Sequence, residues 1–74
     1  MKRGIYRHYK GNKYEVINIG INSETEEEQV IYKQLTDSDK YEKGTIWIRP
    51  KEMFEEEVEL NGSKIKRFEF IEKN

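Results

Sequence analysis

The stretch VELNGSKIKRF, residues 58–68, decides the fold. Asn61-Gly62 is the preferred pair for a type I′ turn, whose two central residues take a positive φ, and it lies between two runs of alternating side chains. A two-residue loop at that point sets Val58 opposite Ile65, Glu59 opposite Lys64, Glu57 opposite Lys66 and Glu56 opposite Arg67. Three opposite-charge pairs result, each contributing roughly 0.2–1 kcal/mol. The acidic run Glu55-Glu56-Glu57 thus reads as one side of a strand pair and not as a metal site. Beyond the hairpin the phase slips, because Ile65 shares a face with Val58 while Phe68 and Phe70 lie on the other, which implies a bent strand.

The same alternation extends upstream. Ile46 and Ile48 alternate with Thr45, Trp47 and Arg49 in a strand that Pro50 ends, since proline has no N–H to continue a ladder. The segment PKEMF, residues 50–54, opens on proline and closes on Met53-Phe54, a pattern that suits one short helical turn plugging a core. EQVIYKQL, residues 28–35, concentrates Val30, Ile31 and Tyr32 without a helical stripe, so it predicts a strand from about Gln29 to Leu35. Ser23 and Glu26 have the spacing of a helix capping box, but the strand chemistry that follows favours a loop or single turn. Residues 36–43, TDSDKYEK, are polar and rich in turn formers.

KYEVINIGI, residues 13–21, changes phase within itself: Tyr14 and Val16 share one face, Ile17, Ile19 and Ile21 the other. A bulge near Val16-Ile17 reconciles the two, as in a sheet that curls on itself. Gly11-Asn12 reads as the turn of the first hairpin, with Tyr9 opposite Tyr14 and His8 opposite Glu15.

Two tight hairpins, two phase slips and one helical turn predict a mainly β domain over residues 1–74: a small five-stranded SH3-like antiparallel barrel with one short helical turn. The expected core is Val16, Ile19, Val30, Tyr32, Ile46, Ile48, Met53, Phe54, Val58, Ile65 and Phe68. Only 34% of residues are hydrophobic and 39% are charged, so that core leans on a few large aromatic side chains. There is no cysteine, hence no disulfide and no thiolate metal site, which fits a cytoplasmic protein. No apolar run approaches the length of a signal-peptide core or a membrane span.

These residues resemble a family of small bacterial proteins known as domain of unknown function 1653. The likeness is carried by G-x-Y-R-H-Y-K-G-x-x-Y-E-V (Gly4 to Val16), S-E-T-x-E-x-x-V-x-Y (Ser23 to Tyr32), W-x-R-P-x-E-M-F (Trp47 to Phe54) and the last hairpin with Arg67-Phe68. The resemblance implies a fold similar to SH3-type barrels and no assigned activity. TDSDKYEKGT is longer than the family's usual connection, and Ile48 stands where members often have valine.

Enzyme chemistry lacks its inventory here. One histidine and no cysteine exclude most catalytic triads and the usual zinc sets, so the protein is expected to be no enzyme and to need no cofactor or metal. His8 reads as a cross-strand partner of Glu15, and Glu24 to Glu28 as a solvated acidic loop. Residues 1–22 carry five basic side chains and one acidic, with Tyr6 and Tyr9 interleaved, a pattern that suits weak RNA or single-stranded nucleic-acid binding. The isoelectric point of about 5.9 argues against it. A non-enzymatic module that recognises a protein or peptide is the preferred expectation, with Tyr6, Arg7, His8, Trp47 and Arg49 as a candidate aromatic and cationic patch on the edge between the first hairpin and the Trp47 strand.

Overall fold

The structure is a computed structural model that describes residues 1–73. Its seven strands are β1 (Gly4–His8), β2 (Lys13–Ile21), β3 (Glu28–Gln34), β4 (Ile46–Pro50), β5 (Glu57–Leu60), β6 (Ser63–Lys66) and β7 (Phe68–Glu72), with one helical turn, α1 (Lys51–Phe54), after β4. The fold is mainly β and antiparallel throughout. A five-stranded sheet runs in the order β4-β3-β2-β1-β7, and β5 and β6 form a separate two-stranded ladder. The larger sheet is open, not closed into a barrel: β4 and β7 are its edges. No helix among the described residues is long and apolar enough to cross a membrane.

The last hairpin has the expected register, with Glu57 opposite Lys66, Val58 opposite Ile65 and Glu59 opposite Lys64. Asn61 and Gly62 both take positive φ, 51° and 80°, as a type I′ turn requires. Of the three charge pairs only Glu56 and Arg67 close, at 2.6 Å. The phase slip after Ile65 is a change of sheet: the chain leaves the β5-β6 ladder at Arg67 and enters the five-stranded sheet at Phe68. The bulge in β2 falls where its phase changes, between Val16 and Asn18.

The first hairpin differs from its expected register by three residues. Tyr6, not Tyr9, lies opposite Tyr14, and Ile5, not His8, lies opposite Glu15. Gly11 serves as the last residue of a three-residue loop, closed by His8 N–H donating to the Asn12 carbonyl at 2.8 Å and Gly11 N–H to the His8 carbonyl at 2.7 Å. The loop after β2 is shaped by Asn22, whose side-chain oxygen accepts from the N–H groups of Glu24 and Thr25 at 2.9 and 3.1 Å, so the residues after Ser23 turn without starting a helix.

One face of the sheet carries the core: Tyr6, Val16, Val30, Tyr32 and Phe68, joined by Phe54 from α1. Aromatic rings dominate it. Phe54 stacks on Phe68 at 4.0 Å between centroids, and Tyr32 meets both edge-on at 5.2 and 5.5 Å. Three expected core residues lie outside it, since Ile46, Ile48 and Met53 are 51, 66 and 47% exposed. The reason for the isoleucines is the pairing of β4, which sets Trp47 opposite Tyr32 and Arg49 opposite Val30. Paired residues share a face, so Trp47 and Arg49 take the inner side and the isoleucines the outer. Ile19, Val58 and Ile65 are half-buried.

Candidate functional site

Phe68 is the centre of the inner face. It lies opposite His8 in the β1-β7 pairing, and the His8 ring meets it edge-on at 4.9 Å. Tyr14 approaches at 5.8 Å. From the far edge of the sheet the Arg49 guanidinium carbon lies 5.5 Å from the centroid of the Phe68 ring, a cation–π distance. Arg67, next in sequence to Phe68, sends one guanidinium nitrogen to Glu56, while its Nε is buried with no hydrogen-bond partner. Among the described residues no carboxylate lies within 4.0 Å of Arg49. The inner face therefore gathers His8, Arg49 and Arg67 around one ring, with Glu56 paired to Arg67 as their one acidic partner among the described residues.

These charges act on their neighbours. Burial lowers the pKa of His8 below its usual value, and Arg49, Arg67 and Lys10 lower it further. The neutral ring is also oriented: Lys10 N–H donates to His8 Nδ1 at 3.1 Å, leaving the ring proton on Nε2. Burial raises the pKa of Tyr32, while the adjacent Arg49 guanidinium pulls it down. An anion placed beside Arg49 would meet a guanidinium, a tyrosine hydroxyl and an aromatic floor, which is a chemistry suited to carboxylate or phosphate.

The five residues singled out in the sequence do not all meet. His8 and Arg49 converge on Phe68. Tyr6 is 7% exposed, and its hydroxyl donates to the Lys2 carbonyl at 2.5 Å. Arg7 lies on the outer face, 3.8 Å from Glu69. With His8, Tyr9, Ile65, Lys66 and Glu69 it lines a cleft of about 430 Å³ between the first hairpin and β6. Trp47 belongs to the other end of the inner face: its Nε1–H donates to Gln34 Oε1 at 3.0 Å, and its ring meets Tyr41 edge-on at 4.8 Å.

Arg67 and Gln34 hold central structural positions that composition does not reveal. Arg67 reads in sequence only as a charge partner of Glu56. Gln34 is 1% exposed, and its amide nitrogen donates to the Thr36 and Tyr41 carbonyls at 2.8 and 3.0 Å and to Ser38 Oγ at 3.2 Å. A signal for it did exist, in that Gln34 continues the alternation of Val30 and Tyr32.

The family model described as a protein of unknown function, DUF1653, matches residues 4–70. The chain belongs to DUF1653. A crystal structure of a DUF1653 protein from Bordetella bronchiseptica superposes with a TM-score of 0.86 at 26% sequence identity, covering 100% of this chain and 91% of that one. No curated protein matches the sequence. The match runs from the start of β1 into β7, so both arms of the Phe68 cluster, His8 and Arg49, lie within the DUF1653 region.

Proposed function

We propose that this DUF1653 domain is a non-enzymatic binding module that recognises an anionic group of a protein or peptide at the Arg49 end of the Phe68 cluster. The observation that carries the reading is Arg49 itself, a half-buried guanidinium held over an aromatic ring with no carboxylate partner among the described residues. A cation in such a place has lost part of its hydration, and an incoming carboxylate adds to the neighbouring Tyr32 hydroxyl the charge-assisted hydrogen bonds that no carboxylate among the described residues supplies.

A protein or peptide partner is preferred to nucleic acid because the basic side chains of the N-terminal segment are engaged singly. Arg3 donates to Asn18 at 2.8 Å, Arg7 faces Glu69, and Lys2 lies over Phe70 at 4.9 Å. They do not form one continuous basic track of the kind that follows a phosphate backbone.

Amide-resolved titration tests this reading. An acidic peptide with a free C-terminal carboxylate should shift the signals of His8, Arg49 and Phe68, the amidated neutral peptide should not, and Arg49→Gln should weaken the response at least about tenfold, or 1.4 kcal/mol. No shift at millimolar peptide overturns the proposal. Tight oligonucleotide binding whose logarithm falls linearly with the logarithm of salt concentration would reassign the surface to nucleic acid.

A further inference from the structure

Strand β4 is an edge of the five-stranded sheet, and its pairing reveals which backbone groups it leaves unused. The Gln34 N–H donates to the Thr45 carbonyl at 2.9 Å, and Leu35 N–H donates to the Lys13 carbonyl at 3.1 Å. Antiparallel ladders alternate, so residues 30, 32 and 34 bond toward β4, and residues 31, 33 and 35 toward β2. The partners of that ladder are Thr45, just before β4, and Trp47 and Arg49 within it. The N–H and C=O groups of Ile46 and Ile48 therefore point away from the sheet. Among the described residues no turn or side chain bonds to them.

Edges of this kind are usually blunted by lysine, by proline within the strand or by a bulge. Strand β4 has none of these at its centre. The two residues whose backbone is unpaired are also the two whose β-branched side chains are most exposed on the outer face, at 51 and 66%, with Ile31 beside Ile48 on the neighbouring strand. The edge is thus ready on two counts, backbone and side chain.

We infer that this edge is a self-association surface, on which two copies of the chain pair β4 antiparallel about Trp47 and join their sheets into one. A two-fold pairing centred on Trp47 sets Ile46 of each copy opposite Ile48 of the other, so every outward N–H and C=O of both isoleucines finds its complement. Centring on Ile48 instead would set Ile46 against Pro50 of the other copy, which has no N–H to offer the Ile46 carbonyl. The favoured register also opposes no like charges, because the single charged residue of β4, Arg49, faces Thr45 of the other copy. On the outer face four isoleucines meet in a cross-strand cluster that Ile31 of each copy extends. This inference uses the sheet edge alone and is independent of what Arg49 binds.

Sedimentation equilibrium of the full chain is the first test, with Ile46→Lys/Ile48→Lys as the variant. Both positions are more than half exposed, and four lysines would face each other across the pairing. A concentration-dependent dimer is expected for the natural sequence, with a dissociation constant raised more than about tenfold, 1.4 kcal/mol, in the variant. A monomer up to millimolar concentration overturns the inference, and so does a dimer of unchanged affinity in a folded variant. Should the variant not fold, amide exchange in the natural sequence decides: the Ile46 and Ile48 amides should exchange at least tenfold more slowly at dimer-forming concentration than on dilution. Rates independent of concentration would overturn it.

Discussion

Arg49 and Phe68 sit on the two edge strands of one open sheet, yet the guanidinium carbon of the first lies 5.5 Å from the ring centroid of the second. The sheet coils far enough for its edges to be bridged by a side chain where hydrogen bonds do not close it. Arg49→Met, which keeps the apolar stem and removes the cation, should destabilise the fold by about 0.5–2 kcal/mol. Chemical unfolding measures it, and an unchanged midpoint would mean that the edges are held together without this contact.

Gln34 links the same open side to the long loop. Replacing it with leucine keeps most of the volume but strands the Trp47 indole N–H and releases the Thr36 and Tyr41 carbonyls, at an expected cost of about 1–3 kcal/mol. The fluorescence of Trp47, the single tryptophan, should change with it. Unfolding monitored by circular dichroism checks the first expectation and the emission spectrum of the folded state checks the second.

What the sequence disclosed follows the range of the interaction that determines each feature. The Asn61-Gly62 hairpin was legible because its register is set within a few residues of the turn. The first hairpin departs from its expected register by three residues because a glycine near a turn does not say which loop position it fills, and His8 lies opposite Phe68 instead of Glu15. The phase of β4 was a tie, since Ile46 and Ile48 alternate with Trp47 and Arg49. Only the tertiary partners Tyr32 and Val30, which bring the larger ring inward, resolve it. Within the candidate patch Arg7 alternates with Tyr6 and His8 and so lies on the opposite face from Arg49, while Tyr6 is taken into the core.

The lowered pKa of His8 gives a pH signature. With its folded pKa below the unfolded value near 6.5, the unfolded chain binds the proton first, so this contribution leaves stability unaffected above about pH 6.5 and lowers it as pH falls toward the folded pKa. Once both states are protonated the effect levels off. His8→Gln should flatten that part of the stability profile, and urea unfolding across pH 4.5–7.5, on the order of three pH units, would reveal a retained slope if the assignment is wrong. An anion bound at Arg49 should act oppositely on the folded state, neutralising the guanidinium and raising the His8 pKa. The ring proton signals of this single histidine report it directly.

Gly4 and Gly62 both have positive φ, 142° and 80°, but for different reasons, and the difference predicts an order. A Cβ at Gly62 would meet no atom within 4 Å, so alanine there incurs only the backbone strain of a left-handed turn position, about 1–2 kcal/mol. A β-branched side chain adds to that strain, and Gly62→Val should cost about 1–3 kcal/mol. At Gly4 the strain is joined by collision: a Cβ would run into the Glu72 carbonyl oxygen and lie 3.0 Å from Lys73 Cα and 3.1 Å from a Phe70 ring carbon. Two of those three atoms are backbone, one in the last residue of β7 and one just after it, so relief requires the chain there to move away from β1. Gly4→Ala should therefore be the more destabilising of the two alanine substitutions, by at least about 1 kcal/mol, although the methyl group is the same. Equilibrium unfolding of both variants in one series is the measurement. Equal midpoints would show that β7 can shift away from Gly4 without loss, and that the β1-β7 ladder is not the rigid side of the sheet.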